Sequence, residues 1–364
     1  MMKLKLLVIP ASWIAEDNAA VQASQETANP LSRSQRFNTK KHTQAEIEEA
    51  IPDSNVQHAN PPWMPYSYTL WHSLIAKSQG LATSHVLKMP SVLCDDLMLL
   101  HCSWLRSGRF PSYLLNPLVE DLKSSRTGRK LMSLLDGKQR WFIRLDQMSP
   151  KDSPLGGDRP STTIQEVITK IASSMRAYGN LQWATQAEER PWGENRANVQ
   201  LILNPWNDKM DPAREFRVFV PPPPSARKEN DGDFRISAIS QYRWHKRLQL
   251  PPGFTIERLV DCVTMGARKI LSEIVQHPLP SFPSENQLML LRYGFSFDVV
   301  LQDDGSVQLV ELNPFGAMSG CGACLFNWII DARMLYGLED AGFAIVLDEP
   351  MAKSVVGGYK SRGV

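Results

Sequence analysis

Near the end of the chain, Asp298, Glu311 and Asn313 interrupt two apolar runs that flank Gln302-Asp303-Asp304-Gly305-Ser306. Asp-Gly between runs of this kind predicts a β-hairpin. With Asp304 and Gly305 as a two-residue loop, Asp303 pairs with Ser306, and the register places Asp298 directly opposite Glu311. Side chains alternate along a strand, so Glu311 and Asn313 share that face. Adjacent carboxylates on apolar strands repel one another and lose hydration, which calls for a source of positive charge. Mg²⁺ is one such source: it prefers hard oxygen ligands and usually takes one or two carboxylates together with nucleotide phosphates. Spacing alone is equally satisfied by a polar sheet face in water, or by one protonated carboxyl hydrogen-bonded to the other.

Two arginines lie on other apolar strands. Glu215-Phe216-Arg217-Val218-Phe219-Val220 puts Glu215 and Arg217 on one face and Phe216, Val218 and Val220 on the other. Arg217 can grip a phosphate there, and a plain surface salt bridge explains it equally well. Arg144 sits in Trp141-Phe142-Ile143-Arg144-Leu145, just before Gln147-Met148-Ser149-Pro150-Lys151-Asp152. No Gly-x-x-x-x-Gly-Lys-Ser/Thr loop occurs, which excludes a P-loop nucleotide site. Cys321-Gly322-Ala323-Cys324 fits a redox pair or half a zinc site, but no second pair stands at zinc-finger spacing. A wall of small residues beside the acids is the favoured reading.

The elements that must position these groups follow from periodicity and breakers. Residues 1–62 are expected to be mostly disordered, because the stretch from Glu16 to Pro62 has few large apolar residues. Within it Thr43 and Glu46 fit the capping box of a short helix. Order is expected from near Trp63. Leu81–Leu105 reads as a core or partner-facing helical region, and Leu114–Leu135 and Thr162–Tyr178 as helices. Ile256–Val275 is the strongest helix, with Leu259, Val263, Ala267, Ile270, Leu271 and Ile274 on one side. Strands are expected at Trp141–Leu145, Val199–Leu203, Glu215–Val220, Arg235–Tyr242, Tyr293–Leu301 and Ser306–Leu312. Pro221–Pro224 and the charged turn Lys228–Asp233 read as a rigid connection between two of them. Strands joined by short turns and mixed with helices define an α+β class.

Bulk properties narrow the function. The 364 residues are enough for one large or two coupled domains. A net charge of +2 offers no basic field for nucleic acid or a membrane surface. No run approaches the roughly 18 apolar residues of a membrane span. The short apolar start is broken by Pro10, which argues against a signal peptide. Five cysteines in such a chain suggest reduced thiols in a cytosolic or nuclear compartment, and a cytoplasmic protein is expected.

Taken in order, Phe142-Ile143-Arg144-Leu145 with Ser149-Pro150-Lys151-Asp152-Ser153, Glu215–Val220, Ile239-Ser240-Gln241, Phe297-Asp298-Val299 and Glu311-Leu312-Asn313-Pro314-Phe315-Gly316 resemble the D123, or cell division cycle protein 123, family of ATP-grasp proteins. The resemblance covers about 141–328. It implies an ATP-grasp fold over 63–348, with a phosphate-binding lobe at about 136–203, a metal-binding lobe at about 204–348 and a flexible tail at 349–364. It further implies ATP and Mg²⁺ as cofactors, with the metal on Asp298, Glu311 and Asn313. Arg144, Lys151 and Arg217 would contact phosphate, and Leu203 would lie on the strand whose backbone meets adenine. Arg144 and Arg217 would then be the catalytic cations.

Two functions are compatible with the resemblance. Family members act as assembly chaperones for eukaryotic translation initiation factor 2, whose gamma subunit would then be the partner. Departures point elsewhere: Asn204-Pro205-Trp206 replaces expected basic residues, Ala317–Cys324 replaces a Thr-Asp stretch, and the N-terminal aromatic segment has no clear match. These favour a carboxylate–amine ligase that activates a small-molecule carboxylate as an acyl phosphate, in small-molecule biosynthesis.

Overall fold

The computed structural model describes residues 4–26, 35–52, 60–185, 199–223, 234–278 and 283–348. The tail 349–364 and the charged turn 228–233 lie outside the described residues. The elements run β1 (Lys5–Pro10), α1 (Ala11–Glu26), α2 (Gln44–Ala50), α3 (Tyr68–Gln79), β2 (His85–Lys88), α4 (Ser91–Ser107), α5 (Ser112–Ser124), α6 (Arg126–Leu134), β3 (Trp141–Leu145), α7 (Ile164–Ala172) and α8 (Met175–Thr185). They continue with β4 (Gln200–Pro205), β5 (Glu215–Val220), β6 (Ala238–Gln241), α9 (Ile256–Gln276), α10 (Pro283–Tyr293), β7 (Phe295–Leu301), β8 (Val307–Pro314), α11 (Ala332–Leu335) and β9 (Gly342–Leu347). Two compact units result: Met1–Tyr66, Leu70–Gln79 and Lys209–Val364 form one, Ser67–Thr69 and Gly80–Asp208 the other.

The first unit is built on a six-stranded sheet ordered β1-β9-β6-β5-β7-β8, in which β9 runs parallel to β1 and β6 and the remaining pairs are antiparallel. Every residue of β5, β7 and β9 is buried, as expected of strands covered on both faces. Phe219, Ala238 and Ala344 join Leu325, Phe326 and Trp328 in one apolar cluster. Helix α9 packs on β7 and β8, and it buries the residues that its 3.6-residue spacing selects. Thr255 starts it by accepting the Arg258 N–H.

The second unit is a three-stranded antiparallel sheet, β2-β4-β3, packed with helices. Leu97, Leu118 and Ile168 share one core there with Ile143, Leu145 and Leu201. Thr163 and Glu166 form a capping box at the start of α7.

The N-terminal stretch departs from expectation. Instead of being mostly disordered, its described residues form β1, α1 and α2, the last with the predicted Thr43–Glu46 capping box. β1 pairs with β9 at the far end of the chain, Lys5 against Gly342, so nothing local announces it. Asp17 in α1 accepts the N–H groups of Arg36 (2.9 Å) and Phe37 (3.2 Å), tying the following segment down. Two long helices are each split. Ser125 caps α6 by accepting the Gly128 N–H, and Ser174 accepts the Ala177 N–H at the start of α8. Both serines offer the backbone a local partner that competes with the continuing helix.

Candidate metal and nucleotide site

The hairpin reaches its expected pairing by a different route. Gln302 N–H donates to the Ser306 carbonyl and Gly305 N–H to that of Gln302, so the loop is Asp303-Asp304-Gly305, three residues rather than two. Gly305 has φ 87°, the left-handed position such loops reserve for glycine. Leu301 then pairs with Val307 and Val299 with Leu309, a register that by itself would set Asp298 against Val310. A β-bulge between Asp298 and Val299 absorbs Val310 as the extra residue and restores Asp298 opposite Glu311, with Ser296 opposite Asn313. Without it, Glu311 would face the other side of the sheet.

Pairing continues across the sheet. Arg217 on β5 is opposite Asp298 on β7 and opposite Ser240 on β6. Ser240, Arg217, Asp298 and Glu311 therefore form one row over four strands, with Asn313 two residues along. Arg217 Nε donates to Asp298 Oδ1 at 2.8 Å and Nη2 to Oδ2 at 2.7 Å, while Asn313 Nδ2 donates to Oδ2 at 3.1 Å. Arg217 Nη1 reaches the Gly322 carbonyl at 3.0 Å, and its guanidinium lies 5.1 Å from the Tyr242 ring centre. The side chains of Arg217 and Asp298 are 7% and 0% exposed. The alternative readings of a surface salt bridge and of a polar face in water are both excluded by that burial.

Burial alone would depress the basicity of Arg217, but the Asp298 charge and its hydrogen bonds outweigh it and hold the guanidinium well above its usual value. Alternation along β5, β7 and β8 puts three carboxylates, Glu215, Asp298 and Glu311, on this face with one cation, Arg217. The face is formally negative, and its donors are hard oxygens. Both features suit a divalent cation such as Mg²⁺, with the carboxylates of Asp298 and Glu311 and the amide oxygen of Asn313 as the available ligand types. Among the described residues no group of three or more His, Cys, Asp and Glu side chains is arranged around a metal position, so any metal here relies on two carboxylates and an amide.

Cys321 and Cys324 lie in the loop that supplies the Gly322 carbonyl, and both are free thiols. Burial pushes Cys324 up to about 12; Arg217 opposes the rise, and Asp298 and Glu215 add to it. Burial likewise raises Cys321, against the pull of Arg217. Thiols held protonated are poor nucleophiles, which suits the wall reading better than a redox role. Ser240 Oγ anchors this loop by accepting the Leu325 N–H at 3.0 Å.

The remaining predicted residues belong to the second unit. Arg144 is buried on β3, and its guanidinium carbon lies over the Tyr68 ring, 4.0 Å from its centre. Leu203 is fully buried on β4 opposite Ile143, and Lys151 is exposed in a turn. Tyr68, Ser240, Tyr242 and Gly322 are contacts that sequence reasoning missed. Ser240 could have been found, because it alternates into the face of β6 that neighbours Arg217.

A mixed sheet with paired acids on its last hairpin, accompanied by a small antiparallel unit, is an ATP-grasp fold of α+β class. The structure of Cdc123 from Schizosaccharomyces pombe has this fold: it matches 85% of this chain and 100% of its own, with TM-score 0.51 and 17% identity. A C-terminally truncated form of Cdc123 from Schizosaccharomyces pombe matches with the same values. The C-terminal domain from K. lactis Pby1, an ATP-grasp enzyme interacting with the mRNA decapping enzyme Dcp2, matches at TM-score 0.27 and 12% identity, over 93% of this chain and 94% of its own. No family model and no curated protein matches this sequence. The resemblance to the cell division cycle protein 123 family is thus borne out at the level of the fold. No described helix is long and apolar enough to cross a membrane.

Proposed function

We propose that this chain binds Mg·ATP and acts as an ATP-dependent carboxylate–amine ligase, a divergent relative of the cell division cycle protein 123 group. The observation that carries the reading is the row Arg217–Asp298–Glu311, with Asn313 beside it, on a buried face of an ATP-grasp sheet. When bound, Mg·ATP would supply the γ-phosphoryl group, passing it to a carboxylate with release of ADP, and an amine would then displace phosphate to form the amide. Asp298, Glu311 and Asn313 hold the cation. Arg217, kept fully charged by its surroundings, steadies negative charge on the phosphate oxygens. Arg144, lying over the Tyr68 ring, offers a second guanidinium from its own unit. Lys151 and the backbone at Leu203 are the other candidate nucleotide contacts within that second unit. The substrates are a small-molecule carboxylate and an amine, in a cytoplasmic setting.

A second reading is favoured by one observation: the likeness spans the whole of the Cdc123 chain. On that reading the protein assembles translation initiation factor 2 through its gamma subunit, and ATP serves binding rather than ligation. A screen of ADP release over mixtures of carboxylates and amines, run beside a pull-down with the gamma subunit, separates the two. Acceptor-dependent ADP release supports the ligase. Robust capture of the gamma subunit without acceptor-dependent turnover overturns it.

A further inference from the structure

The segment from Gln35 to His42 crosses the loop 316–331 that backs the acid row, and it is stitched to it along its length. Arg36 pairs with both carboxylate oxygens of Asp331 at 2.8 and 3.1 Å. Asn38 N–H donates to the Phe326 carbonyl at 3.0 Å, Ala323 N–H to that of Thr39 at 3.1 Å and His42 N–H to that of Ala317 at 3.2 Å. Thr39 Oγ1 accepts the Trp328 N–H at 2.9 Å. At the centre of the crossing, Asn38 Oδ1 accepts the Cys324 N–H at 3.2 Å.

Two features mark that central contact. Asn38 (φ 53°) and Cys324 (φ 55°) are the non-glycine residues with left-handed backbone among the described residues, and they are joined to each other. Such conformations cost energy and persist where the surroundings over-determine them. Gly322 lies directly beneath the carboxamide: a Cβ at that position would stand 2.1 Å from Asn38 Oδ1. Glycine is needed for this approach, and the same Gly322 supplies the carbonyl that Arg217 Nη1 meets at 3.0 Å.

We propose that Asn38 is a positioning residue for the candidate site, holding the Gly322–Cys324 turn so that the Gly322 carbonyl fixes the guanidinium plane of Arg217 against Asp298. The inference rests on the Mg·ATP reading of that site. It gives the N-terminal strap a role in nucleotide binding although none of its residues belongs to the acid row.

The test uses two substitutions that both tolerate the left-handed backbone. Asn38→Gly removes the side-chain acceptor, and Asn38→Asp retains one. In the full-length protein, exchange of the Arg217 Nε proton is followed by NMR, and Mg·ATP affinity by titration calorimetry. Thr39→Val, which cuts another strap bond, serves as the control for general loosening. Asn38→Gly is expected to speed Nε exchange and to weaken Mg·ATP binding, each by about tenfold, the scale of one hydrogen bond to a fixed group. Asn38→Asp is expected to recover most of both, and Thr39→Val to lower thermal stability while leaving affinity within about twofold. Unchanged Arg217 exchange in Asn38→Gly overturns the proposal, as does an equal loss of affinity in Thr39→Val. If the wild-type protein binds no Mg·ATP while Arg217 exchange still follows Asn38, the functional reading fails and the positioning role stands.

Discussion

Arg217 holds both carboxylate oxygens of Asp298 from the neighbouring strand, at 2.8 and 2.7 Å, with both side chains almost wholly out of water. A pair so placed gains less from its attraction than it would lose if broken, because each partner alone is a buried charge. Asp298→Ala is therefore expected to destabilise the protein by about 3–5 kcal/mol. Pairing it with Arg217→Met should return most of that loss without restoring any nucleotide binding. Urea unfolding of the single and double variants, followed by circular dichroism, measures both; an additive double variant would contradict the coupling.

On the Mg·ATP reading, the charge of Glu311 can be tested while the Arg217–Asp298 pair stays in place. Glu311→Gln keeps shape and hydrogen-bonding capacity and removes one charge. Calorimetry should show Mg²⁺-dependent ATP affinity reduced by about tenfold or more, some 1.4 kcal/mol. If Asp298→Ala combined with Glu311→Ala left Mg²⁺-dependent binding unchanged, the metal assignment would be wrong.

The buried thiols predict an alkaline limit on stability. Cys324 is held at about 12 in the folded protein against an ordinary 9.0. A raised pKa contributes stability that is fully present below pH 9.0 and is lost as the pH rises through about 12. Cys324→Ala should flatten the fall in urea midpoint above pH 9.0. At neutral pH the native thiol should react with iodoacetamide about a hundredfold more slowly than the unfolded chain does. Rapid native labelling of Cys324 would contradict the wall reading.

Packing beneath the hairpin is equally exacting. A Cβ on Gly266 of α9 would lie 2.4 Å from Val307 Cβ at the start of β8. Alanine improves helix propensity by up to about 1 kcal/mol, but forcing α9 off the sheet costs about 1–3 kcal/mol. The clash is between rigid atoms, so we expect Gly266→Ala to lower the melting temperature. Because Val307→Ala removes the two Cγ atoms and keeps the Cβ, it should recover only part of the loss in the double variant, read by differential scanning calorimetry.

Much of this site was legible in the sequence because its signals are local. Asp-Gly between apolar runs declares a hairpin, alternation declares a shared face, and the spacing of Leu259, Val263 and Ala267 declares the helix that covers it. The Asp298–Glu311 pairing is instructive. A two-residue loop predicts it, yet the loop has three residues and a bulge at Val310 makes up the difference. Two single-residue shifts cancel, and neither can be seen without the ladder.

What the sequence determined by itself was the set of chemically competent side chains, the α+β class and the ATP-grasp resemblance, since each rests on residues close together along the chain. Tertiary structure alone decided that Arg217 faces Asp298, that β1 completes the sheet beside β9, and that Asn38 closes over Gly322. Those contacts join residues far apart in the chain. Burial and hydrogen bonding select them in the folded state, and no periodicity along the chain records that choice.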